Sequence, residues 1–208
     1  MLIPIHAEIT RLALEKTFTP LVLEKVIRAN QKQDAIARQI GYSEIHFDNN
    51  QIKEGQAYLQ NQRDIVVLSI KRMDLDSAWK AFGMLLHTAQ DFYAHTNYVS
   101  LWLEKFDDGA WPSADEIDPL DESILSSSLL RSGKLYYPLE LLSFIPFIKR
   151  LVIPVLPHDS HAWMNLDSPA CGKKFEFAFS GAVKRTVGEL EMIKEDLPVE
   201  IFMKFING

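Results

Sequence analysis

The chain has 208 residues, 47% hydrophobic and 24% charged, with nine glycines and ten prolines. That composition excludes a disordered or fibrous chain and suits one globular domain with a real core, residues 1–208. A formal charge of −6 with acidic residues spread along the sequence gives no footprint for duplex nucleic acid and no polybasic membrane anchor. The single cysteine, Cys171, rules out an internal disulfide. The first ten residues, MLIPIHAEIT, lack the basic-then-apolar pattern of a secretory leader, so the expected location is cytoplasmic.

Apolar positions recur at helical spacing along nearly the whole chain and no alternating run reads as a strand, so the predicted fold is all-α and bundle-like. A first helix is expected over residues 6–16. Thr19 as N-cap and Pro20 in the first turn open a second that ends at Gly41. After the polar loop SEIHFDNN come weaker helical stretches at 52–62 and 64–73, then a long central helix that starts after Asp74 or Asp76 and reaches about Glu104. Residues 104–122, rich in Asp, Glu and Pro, read as a solvated surface loop.

The most apolar stretch, 138–157, is broken by Glu140, Pro146, Lys149, Arg150 and Pro154, so no transmembrane segment is predicted. Near the end, Phe175, Phe179, Ala182, Val183, Thr186, Leu190 and Ile193 mark one face of a core helix, preceded by the start signal Asp167–Ser168–Pro169.

Within the central helix the stretch HTAQDFYAHTN, residues 87–97, spaces His87, Asp91 and His95 four residues apart. At about 100° per residue the three side chains leave one narrow sector of the helix. Neutral imidazole and carboxylate are natural zinc ligands, and i, i+4 spacing lets two bind one ion or lets a carboxylate bridge two. The alternative is a crowded core in which both imidazoles are satisfied by hydrogen bonds and Asp91 pairs with a cation. Further donors, His6, Asp34, His46, His158 and His161, lie where a helical bundle could converge them.

Taken in order, HAEIT and AL at 6–14, AN and D at 29–34, HFD at 46–48, H and QDFYAHTN at 87–97, SG at 132–133, and H, N, D and P at 161–169 form a series. It resembles the zinc-dependent phospholipase C and single-strand nuclease superfamily, nearest its heterokaryon-incompatibility (Het-C-like) branch. The Asp91 to His95 interval is shorter than in the secreted enzymes and matches that branch. The resemblance implies a helical fold holding up to three zinc ions.

One ion would sit among Asp34, His46, His87 and Asp91, and a second on His6 and Asp91 with the amine and carbonyl of Met1. A third would sit on His95, His161 and a carboxylate. The family's carboxylate position holds Asn165 here, and Asp167, the nearest carboxylate, has a rival role as N-cap of the last helix. The implied chemistry is phosphodiester hydrolysis, with Asp34 orienting or deprotonating the attacking water.

The implied substrate is a phospholipid or related phosphodiester, with lipid at a membrane surface as a partner. Phe144, Ile145, Phe147 and Ile148 would dock on it while Lys149 and Arg150 meet phosphate; burial as a helix and turn is the other reading of that segment. The alternatives are a single-strand nuclease of the same mechanism and a non-catalytic, zinc-stabilised binding or signalling module.

Overall fold

The computed structural model describes residues 1–35, 41–106, 110–143 and 146–208. The fold is all-α, and among the described residues the only extended pairings are isolated bridges, Thr96 with Ser132 and Lys134 with Ser160. Helices run α1 Ile3–Leu14, α2 Pro20–Gln31, α3 Ile52–Lys71, α4 Leu75–His95, α5 Tyr98–Leu103, α6 Glu122–Leu125, α7 Leu139–Ser143, α8 Pro146–Val152, α9 His161–Met164, α10 Lys173–Glu195 and α11 Val199–Asn207.

The long α4 is the axis of the molecule. Asp74 caps it by accepting from the Ser77 amide at 3.2 Å, which satisfies one orphan N–H of the first turn. From Ala81 to His95 every side chain but Met84 is buried, because α2, α3 and α10 pack around it. A helix covered on all sides is free to carry apolar residues all round, and polar ones there must find partners.

Several sequence expectations shift. The helix α1 begins at Ile3, with Pro4 in its first turn, where the missing amide hydrogen is harmless. Thr19 makes no side-chain cap to α2; its hydroxyl donates to the Asn207 carbonyl at 3.2 Å and its amide to the Ile206 carbonyl at 3.0 Å. It thus ties the start of α2 to α11, an amphipathic helix that buries Phe202, Phe205 and Ile206. Helix α2 stops at Gln31 and tightens into a 3-10 turn, Lys32–Asp34; the expected continuation toward Gly41 falls on residues 36–40, outside the described residues. The two stretches expected at 52–62 and 64–73 are the single helix α3.

The central helix ends at His95 rather than near Glu104. The Thr96 hydroxyl turns back onto the Phe92 carbonyl at 2.6 Å, and Asn97 exchanges hydrogen bonds with Arg131 at 2.8 and 2.9 Å. Partners more than thirty residues away therefore stop the helix. The loop expected to be solvated is anchored to the core: Tyr93 and Tyr98 donate to the carbonyls of Pro119 and Asp118, each at 2.6 Å, and Ile117 is buried. No helix among the described residues is long and apolar enough to cross a membrane.

Helices α2 and α4 touch at backbone distance because position 83 is glycine. A Cβ there would sit 2.5 Å from the Val26 carbonyl oxygen, 2.6 Å from the Ala29 Cβ and 2.8 Å from the Asn30 nitrogen. Alanine inside a helix normally gains about 1 kcal/mol over glycine. Here we expect Gly83→Ala to lose about 2 kcal/mol through forced separation of the helices. A lowered urea midpoint checks this, and an equal or raised midpoint would refute the close-contact account.

Candidate metal centre

Five other parts of the chain deliver side-chain donors to the polar stripe of α4. His87, Asp91 and His95 come from that stripe, His6 from α1, and Asp34 from the turn after α2. His46 and Asp48 come from the loop before α3. There Phe47 adopts φ +57°, which sends its ring into the core while both polar neighbours are buried. His161 opens α9, and Asp167 lies in the extended segment before α10.

Asp91 is the hub. Its Oδ2 lies 2.9 Å from His46 Nδ1 and 3.0 Å from His87 Nε2; its Oδ1 lies 3.2 Å from His6 Nε2 and 3.8 Å from His95 Nε2. Asp34 closes one side, 3.8 Å from His87 Nε2 and 4.0 Å from His6 Nε2. On the other side Asp167 lies 3.1 Å from His95 Nε2 and 3.8 Å from His161 Nε2. The Met1 amine pairs with Asp91 and lies 3.3 Å from both Asp167 Oδ1 and His95 Nε2.

All nine residues expected to ligate are therefore brought to one buried cluster. Among the described residues three donor sets have ligand atoms within 4.8 Å of one another: His6, Asp34 and His87; His46, His87 and Asp91; Asp48, His95 and His161. Asp34 thus sits with His6 as well as His87. Asn165 lies outside the cluster, its amide donating to the carbonyls of His161 and Ala162 at 3.0 and 3.2 Å. Asp167 does not cap α10, the helix that the sequence reading placed last; the N-cap of α10 is Gly172. His158 is exposed, its ring 4.6 Å from that of Trp163.

The family assignment follows from residues 5–118, which match the model of the VWA7 N-terminal domain. The chain belongs to the VWA7 N-terminal domain family. This overturns the membership expected from the motifs in the phospholipase C and nuclease superfamily. Histidines and aspartates four apart on a helix record ligand geometry, which unrelated families can share.

A human protein, von Willebrand factor A domain-containing protein 7, is 34% identical over 79 residues, covering 38% of this chain and 9% of that protein. The rat and mouse proteins of the same name are each 30% identical over 79 residues, with the same coverage. The chain thus matches under a tenth of the length of these relatives. No solved structure matches. Seven of the donors, His6 to His95 with Asp48 among them, lie within the VWA7 N-terminal domain match; Met1, His161 and Asp167 lie outside it.

Sequence reading missed the groups that hold these donors. His6 Nδ1 faces Gln90 Oε1 at 2.7 Å, His87 Nδ1 faces Asn30 Oδ1 at 3.3 Å, and His95 Nδ1 faces the His46 carbonyl at 2.8 Å. The Gln90 amide donates to Thr10 and Thr186 at 3.0 and 3.1 Å, which fixes its oxygen toward His6. Each of these acceptors has no hydrogen to give, so each Nδ1 carries a proton and, in the neutral ring, each Nε2 turns its lone pair inward.

His161 Nδ1 is held in the same way by Asp48 at 2.9 Å. The signals were present in the sequence: Asp48 within HFD, Gln90 beside Asp91, and Asn30 in the AN pair.

A short connection, residues 131–135, spans the gap between His95 and His161. The Gly133 amide donates to the His95 carbonyl at 3.1 Å, and the His161 amide donates to the Lys134 carbonyl at 2.8 Å. A Cβ at position 133 would meet His161 Cα at 2.5 Å, so glycine lets this connection press against α9.

The cluster in the VWA7 N-terminal domain is chemically incomplete by itself. Among the described residues His6 Nε2, Asp34 Oδ2 and His46 Nε2 are buried without a hydrogen-bond partner, and the inward nitrogens of His6 and His87 face Asp91 oxygens at 3.0–3.2 Å. Burial with His6 close by pushes the His87 pKa well below the ordinary imidazole value, which keeps the ring neutral. Burial opposes the charge on Asp91, but the Met1 amine beside it holds it well below the usual carboxylate range. Burial and the charge of Asp91 raise Asp34. Neutral ring nitrogens and ionised carboxylates around an orphaned interior suit divalent cations, with zinc the natural choice for an N/O set.

Without metal, burial disfavours the charged form of His161, but Asp48 and then Asp167 and Glu140 outweigh it and raise its pKa from 6.5 to about 9. A folded pKa above the unfolded one contributes stability fully present below pH 6.5 and lost as pH rises through 9. In chelator, urea melts are expected to show the chain weakening across that window. Asp48→Asn should flatten the slope; an unchanged slope would show that Asp48 does not set it.

Proposed function

We propose that this domain is a zinc-dependent phosphodiester hydrolase. The observation that carries the reading is Asp91, whose two carboxylate oxygens face separate sets of buried imidazole nitrogens. His6, Asp34, His46, His87, Asp91, His95, His161 and Asp167 would hold the ions, with the Met1 amine beside them. Bound there, zinc supplies charge neutralisation for phosphoryl oxygens and acidifies water.

The chain's own groups do the rest. Gln90, Asn30, the His46 carbonyl and Asp48 hold the rings in one tautomer and orientation, so the donor set is preorganised. Asp34 is less buried than Asp91, and burial together with Asp91 raises its basicity, which suits a group that orients water and accepts its proton.

A lipid phosphodiester at a membrane surface is the favoured substrate class. Phe147 is 91% exposed, Leu151 76% and Val155 67%, and Arg150 is exposed beside them. Large apolar side chains this exposed are uncommon on a soluble surface and suit an interfacial contact. The docking expected of Phe144, Ile145 and the Lys149 side chain lies outside the described residues. One observation favours a second reading, a zinc-stabilised module without catalysis: His6, His87 and Asp91 have no exposed surface.

Elemental analysis followed by assays on a soluble phosphocholine diester, phosphatidylcholine vesicles and single-stranded DNA tests the choice. Zinc with hydrolysis that Asp34→Asn suppresses supports the enzyme. Zinc without hydrolysis of any substrate supports the module, and cleavage of DNA alone supports a nuclease.

A further inference from the structure

The side of the α2 and α4 pair that carries Ala29 and Lys80 bears a feature the metal centre does not explain. A cavity of about 300 Å³ opens between the two helices. Lys25 and Arg28 of α2, Lys32 of the following turn, and Lys80 of α4 line it together with Asp76 and Trp79. In a chain of net charge −6, this one hollow gathers four cations against one carboxylate.

Lys25, Arg28 and Lys32 stand at i, i+3 and i+7, which puts three like charges on one helical face and is unfavourable in the absence of counter-charge. Asp76 offsets only the first of them. Lys25 Nζ lies 2.7 Å from Asp76 Oδ1 and 4.2 Å from the centre of the Trp79 ring. Arg28, Lys32 and Lys80 are exposed and pair with no carboxylate among the described residues.

The walls are rigid, since Gly83 holds α2 and α4 in backbone contact beside Ala29, which itself lines the cavity. Three uncompensated cations are thus presented on two helices of fixed spacing and on the turn that continues α2.

The size and chemistry narrow the ligand. A volume at the low end of the roughly 300–1,000 Å³ of small-molecule sites fits neither a duplex nor a protein segment. Trp79 is buried, with Lys25 over its ring, so no free aromatic face asks for a base to stack. An arginine fork and two lysine point charges suit phosphoryl oxygens arrayed on one compact scaffold. We infer that this groove binds a small, multiply phosphorylated ester such as an inositol polyphosphate, free or as a lipid headgroup.

None of the groove's side chains belongs to the metal cluster, so binding should persist in chelator. Calorimetry of the full chain with inositol trisphosphate at physiological salt is expected to show one site, and Arg28→Glu with Lys80→Glu should weaken it at least tenfold. Both positions are exposed, so the melting temperature should stay unchanged.

A control reversing Lys53 and Lys204, exposed lysines on α3 and α11, should bind as the parent does. Flotation with phosphatidylcholine vesicles, with and without phosphatidylinositol bisphosphate, distinguishes the two sources of the same headgroup chemistry. Absent binding, binding that survives the double reversal, or equal loss in the control would each overturn the inference.

Discussion

Asp91→Asn is expected to take bound zinc from about two or three ions per chain to fewer than one, and to cut any hydrolysis by at least about a hundredfold. The size of the effect follows from position. Asp91 Oδ2 serves His46 and His87, while Oδ1 serves His6 and the Met1 amine, so one change removes negative charge from both halves of the cluster. Asparagine keeps the shape, and its NH2 can donate to the inward nitrogen of His87 or His6. The fold should therefore survive while cation affinity does not, and a near-native circular dichroism spectrum beside an empty site is the expected pair of results. Retained zinc would remove Asp91 from the centre and take the proposed function with it.

Chelation should act on stability as strongly as Asp91→Asn acts on binding. Asp34, Asp48, Asp91 and Asp167 gather their carboxylates in the interior around imidazoles that are mostly proton-anchored elsewhere. Buried charge of one sign opposes folding unless it is compensated. A ligand that binds only the folded state stabilises it by about 4 kcal/mol at a thousand times its Kd. For a chain of this length that corresponds to roughly 10 °C in Tm. Scanning calorimetry in zinc and in chelator checks the shift, and coincident transitions would mean that no cation occupies the cluster.

Much of the centre was legible because helical geometry is local. The spacing of His87, Asp91 and His95 alone places them on one stripe, and α4 carries them so. What escaped depended on partners far along the chain. Helix α4 stops at His95 because Arg131 and Gly133 claim the backbone of Asn97 and His95, a pairing no local pattern encodes. Thr19 looked like a cap until α11 arrived to use its hydroxyl.

Asp48 was passed over because its inward direction depends on the positive φ of Phe47, a loop conformation rather than a period. The superfamily expectation failed for a different reason. Metal chemistry restricts residue types and spacings tightly enough for separate lineages to share them, and the match over residues 5–118 carries information that those few positions lack.

The connection through Gly133 bears on how the centre could be retuned. His95 and His161 are spaced by main-chain hydrogen bonds at 3.1 and 2.8 Å, with no side chain in the path. Their separation behaves as a fixed gauge, insensitive to exchanges of neighbouring side chains as long as position 133 stays glycine. Adapting this corner to a larger ion would require lengthening the backbone between residues 131 and 135, since swapping His95 or His161 for another donor leaves the gauge as it is.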